Sequence, residues 1–250
     1  MKSEDVCLLV DNSNTRTKFA LSGRGENAEM RMFPTADITE EAVQDLLAGW
    51  RFSRVCLCSV VPWAAERISQ ALGAFPVSVL TPQLASAIDF SGYPGIATLG
   101  ADRVANVLAA LEYVQPPFVA VDLGTASTFD IVVPGEQRPR FIGGMIAPGF
   151  QGMAASLHAT TAQLPSIEPA GECSAIGRNT QEAMAAAMRI GYPAMVDALL
   201  AAIEVELGEK ISVVLTGGDA AWVASGMRKE CVIAPSLTLQ GIALAAGLTL

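Results

Sequence analysis

The sequence predicts an α/β fold made of two similar lobes. Short apolar runs typical of buried strands alternate with longer segments in which apolar residues recur at helical spacing. One pattern also occurs at Val10-Asp11 and again at Val121-Asp122: an apolar strand ending in aspartate, a small or polar turn, a threonine and a second strand. Internal similarity over such a distance indicates a duplicated lobe. We therefore expect an N-terminal lobe at residues 1–115 and a C-terminal lobe at residues 116–250.

The first lobe is predicted to open with a β-hairpin and a helix. Val6–Val10 is a continuous apolar run, and Thr15–Leu21 alternates well enough to be its partner strand after a polar turn. Asp37 and Glu40 have the spacing of a capping box, which predicts the start of a helix. The apolar face of that helix repeats at helical spacing and consists of Val43, Leu46, Leu47 and Trp50.

A second strand and helix, a long loop and a further helix complete the first lobe. Val55–Val60 is apolar enough for a strand, and Pro62 suits the first turn of a helix. Segment 81–99 is rich in Pro, Gly and Ser and predicts a long loop, which is often functional. Gly100–Arg103 then opens a helix. Its predicted buried face is Val104, Val107, Leu108 and Leu111.

The second lobe repeats the hairpin and then adds helices and a last strand. Phe118–Val121 predicts a buried strand whose partner runs through Val133. Helical segments follow and extend to about Leu207. The remaining features are a glycine-rich segment at Gly143–Gly149, a strand at Ile211–Leu215 running into Thr216–Asp219, and a strand end plus buried helix within Cys231–Leu250.

Composition and charge exclude several classes of protein. The 250 residues are 51% hydrophobic, which is enough for a core without disulfides or metals and too much for a disordered chain. A net charge of −9 argues against nonspecific binding to nucleic acid or anionic membranes. We therefore expect neither as a partner. The five cysteines are scattered and are predicted to be reduced, buried thiols: Cys7, Cys56, Cys58, Cys173 and Cys231.

Membrane insertion and export are not expected. Segments 68–88, 141–167 and 231–250 lack charge, but turn-forming residues interrupt the first two, and the third fits a strand and a terminal helix. The first five residues do not have the pattern of a signal peptide, so we expect a cytoplasmic protein.

Two hairpins of this kind, facing each other, suit a polyphosphate. Their turns would point backbone N–H groups and hydroxyls into the cleft between the lobes. Asp11 and Asp122 at the strand ends suit Mg²⁺ or another hard cation, and Lys18 can approach a phosphate as a point charge. Asp102 beside Arg103 at a helix start adds a carboxylate that can accept a proton. These are the parts that phosphoryl transfer requires.

The order of these motifs resembles that of the type III pantothenate kinases, in the superfamily of acetate kinase, sugar kinases, actin and chaperone ATPases. The family's first phosphate motif, Asp-x-Gly-Asn-Thr-x-x-Lys, matches Asp11–Lys18, and its Gly-x-Asp-Arg motif matches Gly100–Arg103. The second phosphate motif, Asp-x-Gly-Thr-Ala, matches Asp122–Ala126. Gly143–Gly149 and Thr216–Asp219 complete the set, so the resemblance covers essentially the whole chain.

The resemblance implies two duplicated actin-like, ribonuclease H-like lobes with a nucleotide cleft between them. It also implies phosphorylation of pantothenate to 4′-phosphopantothenate by ATP, the first step of coenzyme A biosynthesis, by a homodimer. Asp102 would be the general base, and Asp122 would bind the K⁺ or NH₄⁺ that the family requires. Mg-ATP would be held by Asp11, Asn12, Ser13, Asn14, Thr15, Arg16, Thr17, Lys18 and Thr125. Pantothenate would be held by Tyr93, Gly100, Ala101, Asp102, Arg103 and, across the dimer interface, Thr180.

Ser13 departs from the family pattern, in which glycine stands at this place. If the turn needs a positive φ, serine is strained there by about 1 kcal/mol or more. On that premise the chain should bind ATP more weakly than its Ser13→Gly variant.

Two alternatives stand beside this interpretation. Taken singly, Asp11 and Asp122 also fit ordinary turn aspartates, and Asp102 fits a helix N-terminus. The chain could then be another small-molecule kinase or phosphohydrolase of the same superfamily, because a fold does not fix a substrate. It could also be a non-catalytic regulatory relative, although Asp102, Asp122 and Lys18 are all present.

Overall fold

The computed structural model describes residues 6–23, 29–160, 164–168, 171 and 173–248. The chain divides into two units. The first runs to Glu112 and also contains Gly135–Phe141 and the segment from Ser236 onward. The second consists of Tyr113–Pro134 and Ile142–Pro235.

A mixed sheet forms the centre of the first unit. The elements of this part are β1 (Cys7–Asn12), β2 (Arg16–Leu21), β3 (Met30–Pro34), α1 (Glu40–Leu46), β4 (Arg54–Ser59), α2 (Pro62–Ala71), β5 (Val77–Val79) and α3 (Ala101–Ala110). Over the described residues the strand order is β3-β2-β1-β4-β5, with β1 antiparallel to β2 and parallel to β4. The predicted hairpin, the strand before Pro62 and the helix after Gly100 are confirmed. The sequence did not reveal β3 and β5, which lie at the sheet edges and are largely exposed.

The second unit contains a second mixed sheet. Its elements are β6 (Phe118–Leu123), β7 (Ala126–Val133), β8 (Arg140–Pro148), α4 (Phe150–Ala159), α5 (Thr180–Leu207), β9 (Ser212–Thr216), α6 (Ala220–Gly226) and β10 (Val232–Ile233), although the first residues of β8 are grouped with the first unit. In the described part of the chain the order is β8-β7-β6-β9-β10, with β6 antiparallel to β7 and parallel to β9. This is the order of the first sheet, strand for strand. The prediction of a duplicated α/β fold is confirmed.

The last helix, α7 (Leu237–Ala245), groups with the first unit, whereas the sequence placed it in a lobe at residues 116–250. It packs on α3, where Thr238 Oγ1 donates a hydrogen bond to Asn106 Oδ1 at 2.8 Å. Just beyond the helix, Arg54 Nη1 donates to the Ala246 carbonyl at 2.9 Å. The apolar pattern predicts the helix but does not specify which sheet it covers.

The capping box predicted at Asp37 is wrong. Asp37 ends a single 3₁₀ turn, and the helix begins later, at Glu40. Thr39 is the N-cap, and its hydroxyl accepts a hydrogen bond from the Ala42 N–H at 3.1 Å. Threonine is among the preferred N-cap residues, and Thr39 directly precedes the first helical residue, whereas Asp37 does not.

Helix α5 is long and apolar enough, by length and composition, to span a bilayer. It is not among the three uncharged segments considered above, because it contains charged residues such as Glu182 and Arg189. One face of the helix packs in the hydrophobic core of the second unit through residues that include Tyr192, Val196 and Leu200. A core helix of a folded domain satisfies the same criteria of length and composition.

The cysteines differ partly from the prediction that all are buried. Cys7, Cys56 and Cys58 are buried in the first sheet, whereas Cys231 is half-buried and Cys173 is exposed. Cys173 precedes α5 and lies outside the strands and helices of the described residues.

Candidate active site

The turn between β1 and β2 holds a carboxylate and an ammonium group together. Asp11 is buried at the end of β1, and the strand register pairs it with Lys18. Lys18 Nζ lies 3.1 Å from Asp11 Oδ2, and Ser13 Oγ donates a hydrogen bond to Asp11 Oδ1 at 2.9 Å. The lysine therefore lies beside the turn, as phosphate binding would require.

The motif residues of this turn fall into two groups. Asn14, Thr15 and Arg16 form the exposed tip. Asn12 and Thr17 are fully buried, and Asn12 Nδ2 donates a hydrogen bond to Thr17 Oγ1 at 2.7 Å. The Asn12 and Thr17 side chains therefore support the turn from beneath, whereas the three residues of the tip lie at its surface.

Ser13 does not carry the strain considered for it. Among the described residues no non-glycine residue has a positive φ, so Ser13 lies outside the left-handed region. The expected disadvantage relative to Ser13→Gly has no basis in this turn. Its hydroxyl instead supports Asp11.

Asp102 lies in the first turn of α3, with its carboxylate folded back toward the helix N-terminus. Asp102 Oδ1 accepts a hydrogen bond from the Arg103 N–H at 2.8 Å. A Cβ on Gly100 would collide with this oxygen, so a larger residue there would force the Asp102 carboxylate to move. Burial raises the pKa of the Asp102 carboxyl, and the nearby Asp11 adds to the rise despite the opposing hydrogen bond from Arg103. The first unit therefore brings Asp11 and Asp102 into electrostatic contact.

Cys58 lies next to these carboxylates. It is paired with Asp11 across β1 and β4 and is fully buried. Burial, with Asp11 and Asp102 as the main neighbouring charges, raises the pKa of the Cys58 thiol. The thiol therefore stays neutral and packs as a small apolar group near Asp11 and Asp102.

Tyr93 and Arg103 share a buried aromatic neighbour, Phe141. The Tyr93 ring packs edge-on against Phe141 with centroids 5.0 Å apart. The guanidinium carbon of Arg103 lies 5.9 Å from the Phe141 centroid, and Arg103 itself is almost fully buried. A backbone hydrogen bond joins the start of β8 to the loop that contains Tyr93: the Phe141 N–H donates to the Asp89 carbonyl at 2.9 Å. The structure thus brings together these two predicted substrate residues; Gly100 and Ala101 lie at the start of the same helix as Arg103.

The turn between β6 and β7 is built differently from the first. Asp122, half-buried at the end of β6, is paired with Thr128 rather than with a lysine. Thr125 is exposed at its tip. Gly217, with φ +95°, lies so close that a Cβ there would come within 2.6 Å of Asp122 Oδ1. A glycine at this position is therefore required by both backbone conformation and space.

Thr180 is exposed at the first position of α5. The helix start is well capped, since Asn179 Oδ1 accepts from the Glu182 N–H at 2.9 Å and Glu182 Oε2 accepts from the Arg178 N–H at 2.8 Å. Thr180 is thus held on an ordered helix end with its side chain accessible.

Sequence reasoning missed three residues that support these sites: Thr35, Ser59 and Phe141. Thr35 and Ser59 hydrogen-bond to the first turn, and Phe141 packs under Tyr93 and Arg103. Each comes from a segment distant in sequence from the motif it supports. The periodicity of apolar residues predicts helices and strands, but it does not indicate a single buried threonine or an aromatic contact between distant segments.

The fold matches those of solved structures. A solved structure described as a putative Baf family transcriptional activator from Campylobacter jejuni matches with a TM-score of 0.60 at 18% identity, covering 96% of this chain and 97% of that one. Acetate kinase from Entamoeba histolytica matches with a TM-score of 0.51 at 9% identity, covering 96% and 99%. These structures share the α/β fold of two similar sheets described above.

The family follows from sequence comparison. A family model described as type III pantothenate kinase matches residues 7–202. The type III pantothenate kinase of Akkermansia muciniphila is 42% identical over 97% of this chain and 99% of its own length. That of Methylacidiphilum infernorum is 38% identical over 95% and 86%. The chain belongs to the type III pantothenate kinase family.

Proposed function

We propose that this chain is a cytoplasmic enzyme that phosphorylates pantothenate with ATP, giving 4′-phosphopantothenate and ADP for coenzyme A synthesis. The observation that carries the proposal is the grouping, in one unit, of a half-buried Asp102, a buried Arg103 and the Asp11–Lys18 pair. Family membership supplies the identity of the substrate.

Asp102 acts as the general base. The primary hydroxyl of pantothenate gives its proton to the carboxylate while its oxygen attacks the γ-phosphorus, and the bond from that phosphorus to the ADP oxygen breaks. The raised pKa makes Asp102 a stronger base than an ordinary aspartate. The exposed tip of the first turn binds phosphate of Mg-ATP, and Lys18 offsets negative charge there. In the second unit, the exposed Thr125 is proposed as a phosphate-binding residue by its place in the second motif. Asp11 orients Lys18.

Arg103 and Tyr93 hold pantothenate. The buried guanidinium suits the substrate carboxylate, because a desolvated cation interacts more strongly with an anion than an exposed one does. The Tyr93 ring forms a wall of the same pocket, with Gly100 and Ala101 at the helix start.

Asp122 is the proposed site for K⁺ or NH₄⁺. The oxygen atoms at this turn fit a hard monovalent cation: Asp122 provides a carboxylate, and the buried Thr128 Oγ1, on the paired residue, has no hydrogen-bond partner. When bound, the cation would supply positive charge at this turn.

A turnover assay tests the reaction. The protein is incubated with Mg-ATP and pantothenate in K⁺ or Na⁺ buffer, and the product is identified by mass. We expect 4′-phosphopantothenate, with faster turnover in K⁺. Phosphorylation of another alcohol in preference to pantothenate would refute the substrate, and equal rates in K⁺ and Na⁺ would refute the cation site.

We also propose a homodimer in which Thr180 of one subunit completes the site of the other. The outer surface of α5 supports this, because small and apolar residues, Ala183, Ala187, Ile190 and Gly191, are exposed beside one another. Such a surface allows close approach of a second copy. Ile190→Glu should convert the dimer to monomers, as measured by light scattering.

Mixed dimers test whether the site is shared. Asp102→Asn and Thr180→Glu subunits should each be nearly inactive alone. If Thr180 acts across the interface, a mixed dimer contains one intact site, and activity should return on mixing. Mixtures that stay inactive although mixed dimers form would show that Thr180 serves its own subunit or none.

A further inference from the structure

A chain of buried hydrogen bonds runs beneath the first phosphate turn. Ser59 Oγ donates to Asn12 Oδ1 at 2.6 Å, and Asn12 Nδ2 donates to Thr17 Oγ1 at 2.7 Å. Thr17 Oγ1 lies 3.0 Å from Thr35 Oγ1, and Thr35 Oγ1 donates to the Ser13 carbonyl at 2.7 Å. Because each hydroxyl has one proton, Thr17 must donate to Thr35, and every bond has a fixed direction.

Thr35 contacts the turn twice. In addition to its hydroxyl on the Ser13 carbonyl, its backbone N–H donates to the Thr15 carbonyl at 3.0 Å. Asn12, Thr17 and Thr35 are each at most 1% exposed. In a low-dielectric interior, such a connected network is rigid when all its members are satisfied.

The connection between β1 and β2 is also held from outside the hairpin. The strand register pairs Asn12 with Thr17 and leaves Ser13–Arg16 as the connection, in which the Ser13 N–H donates a hydrogen bond to the Arg16 carbonyl at 3.2 Å. The absence of a positive φ among the described non-glycine residues fits a connection of this length, which is most often built around a type I turn. Thr35, from the segment after β3, adds its two hydrogen bonds to the carbonyls of this connection.

We infer that Thr35 is a positioning residue for ATP. It fixes the carbonyls of Ser13 and Thr15, and so sets the direction of the N–H groups and hydroxyls at the exposed tip. This inference rests on the proposed function only in so far as the turn binds ATP phosphates. It assigns Asn12 and Thr17 the same supporting role, in place of direct side-chain contact with phosphate.

Thr35→Val tests the inference, since valine keeps the shape and removes the hydroxyl. The affinity for Mg-ATP is measured by calorimetry without pantothenate, and both KM values are measured separately. Loss of one buried hydrogen bond and the unsatisfied carbonyl it leaves should weaken ATP binding about tenfold. The KM for pantothenate should stay within about twofold of wild type, and Thr35→Ser, which keeps the hydroxyl, should restore ATP binding.

Thr238→Val is the matched control. Thr238 is another buried threonine of the first unit, and its hydroxyl bonds to Asn106 rather than to the turn. It should lower the melting temperature without changing ATP affinity. Equal weakening by both variants, or unchanged ATP affinity in Thr35→Val, would overturn the inference.

A second variant covers a failure of Thr35→Val to fold. Ser59→Ala removes the hydroxyl that donates to Asn12 at the start of the hydrogen-bond chain. Ser59 is only half-buried, so its loss should weaken ATP binding by a smaller factor, about threefold. Unchanged affinity there would overturn the inference. If wild type binds Mg-ATP but does not phosphorylate pantothenate, the proposed function fails, while these measurements still decide the role of Thr35.

Discussion

Replacing Phe141 with leucine should weaken pantothenate binding and leave ATP binding intact. The Tyr93 ring lies edge-on to Phe141 at 5.0 Å, and the Arg103 guanidinium carbon lies 5.9 Å from the same ring. An edge-to-face pair contributes about 0.5–1.5 kcal/mol beyond buried area, and a cation–π contact about 0.5–1 kcal/mol. Leucine would lose both.

The combined loss is about 1–2.5 kcal/mol, which corresponds to about a 5- to 70-fold rise in KM for pantothenate if it all serves to orient the two pocket residues. The KM for ATP should stay within about twofold, because Phe141 packs under the substrate residues and not under the phosphate turn. Steady-state kinetics with each substrate varied in turn, together with thermal unfolding, measure these quantities.

Phe90→Leu is the control for lost packing. Phe90 is also buried, and its ring packs on Phe141 with centroids 5.4 Å apart. The substitution removes a similar apolar volume but keeps the contacts of Phe141 with Tyr93 and Arg103. A pantothenate KM within about twofold of wild type in Phe141→Leu, or an equal rise in both variants, would refute the reasoning.

Three further predictions follow from the site. Burial raises the pKa of Asp102, so turnover should fall on the acid side at a higher pH than for an ordinary aspartate. Asp102→Asn removes the base and should lower kcat by about 10²- to 10⁴-fold. Because the ionised, buried carboxyl opposes folding at neutral pH, the same substitution should raise the melting temperature. Ser13→Gly should raise the KM for ATP up to about threefold, because it removes the hydroxyl that supports Asp11; a lower KM would show strain that the turn does not display. Gly217→Ala should cost about 1–2 kcal/mol in stability from its positive φ and abolish the response to K⁺, whereas Gly218→Ala, with open space around it, should change neither.

The sequence was sufficient for features that depend on local pattern. An apolar run ending at Asp11, and a glycine followed by an acidic residue at Asp102, are local signals of a strand end and of a helix start. Support from distant segments has no such signal. Thr35 and Phe141 act through contacts with residues that are distant in sequence, and no local pattern along the chain indicates such contacts.

The same limit explains the motif residues whose side chains face inward. Asn12 and Thr17 belong to central strands that are covered on both faces, so alternation along the strand does not distinguish a ligand-facing side chain from a supporting one. A polar residue in a phosphate motif is therefore expected at the ligand until its hydrogen-bond partners are known. Here the partners are Ser59, Thr17 and Thr35, and all belong to the protein.

The two duplicated hairpins differ in chemistry because a different residue lies opposite each aspartate. In the first, the register places Lys18 opposite Asp11, and the carboxylate is neutralised by its own hairpin. In the second, the register places Thr128 opposite Asp122, so the paired position contributes an oxygen in place of a cationic side chain. A phosphate-binding turn benefits from a built-in cation, whereas a turn that offers only oxygens attracts a cation from solution. The proposed division between an ATP-binding hairpin and a K⁺-binding hairpin thus follows from which residue each register places opposite the aspartate.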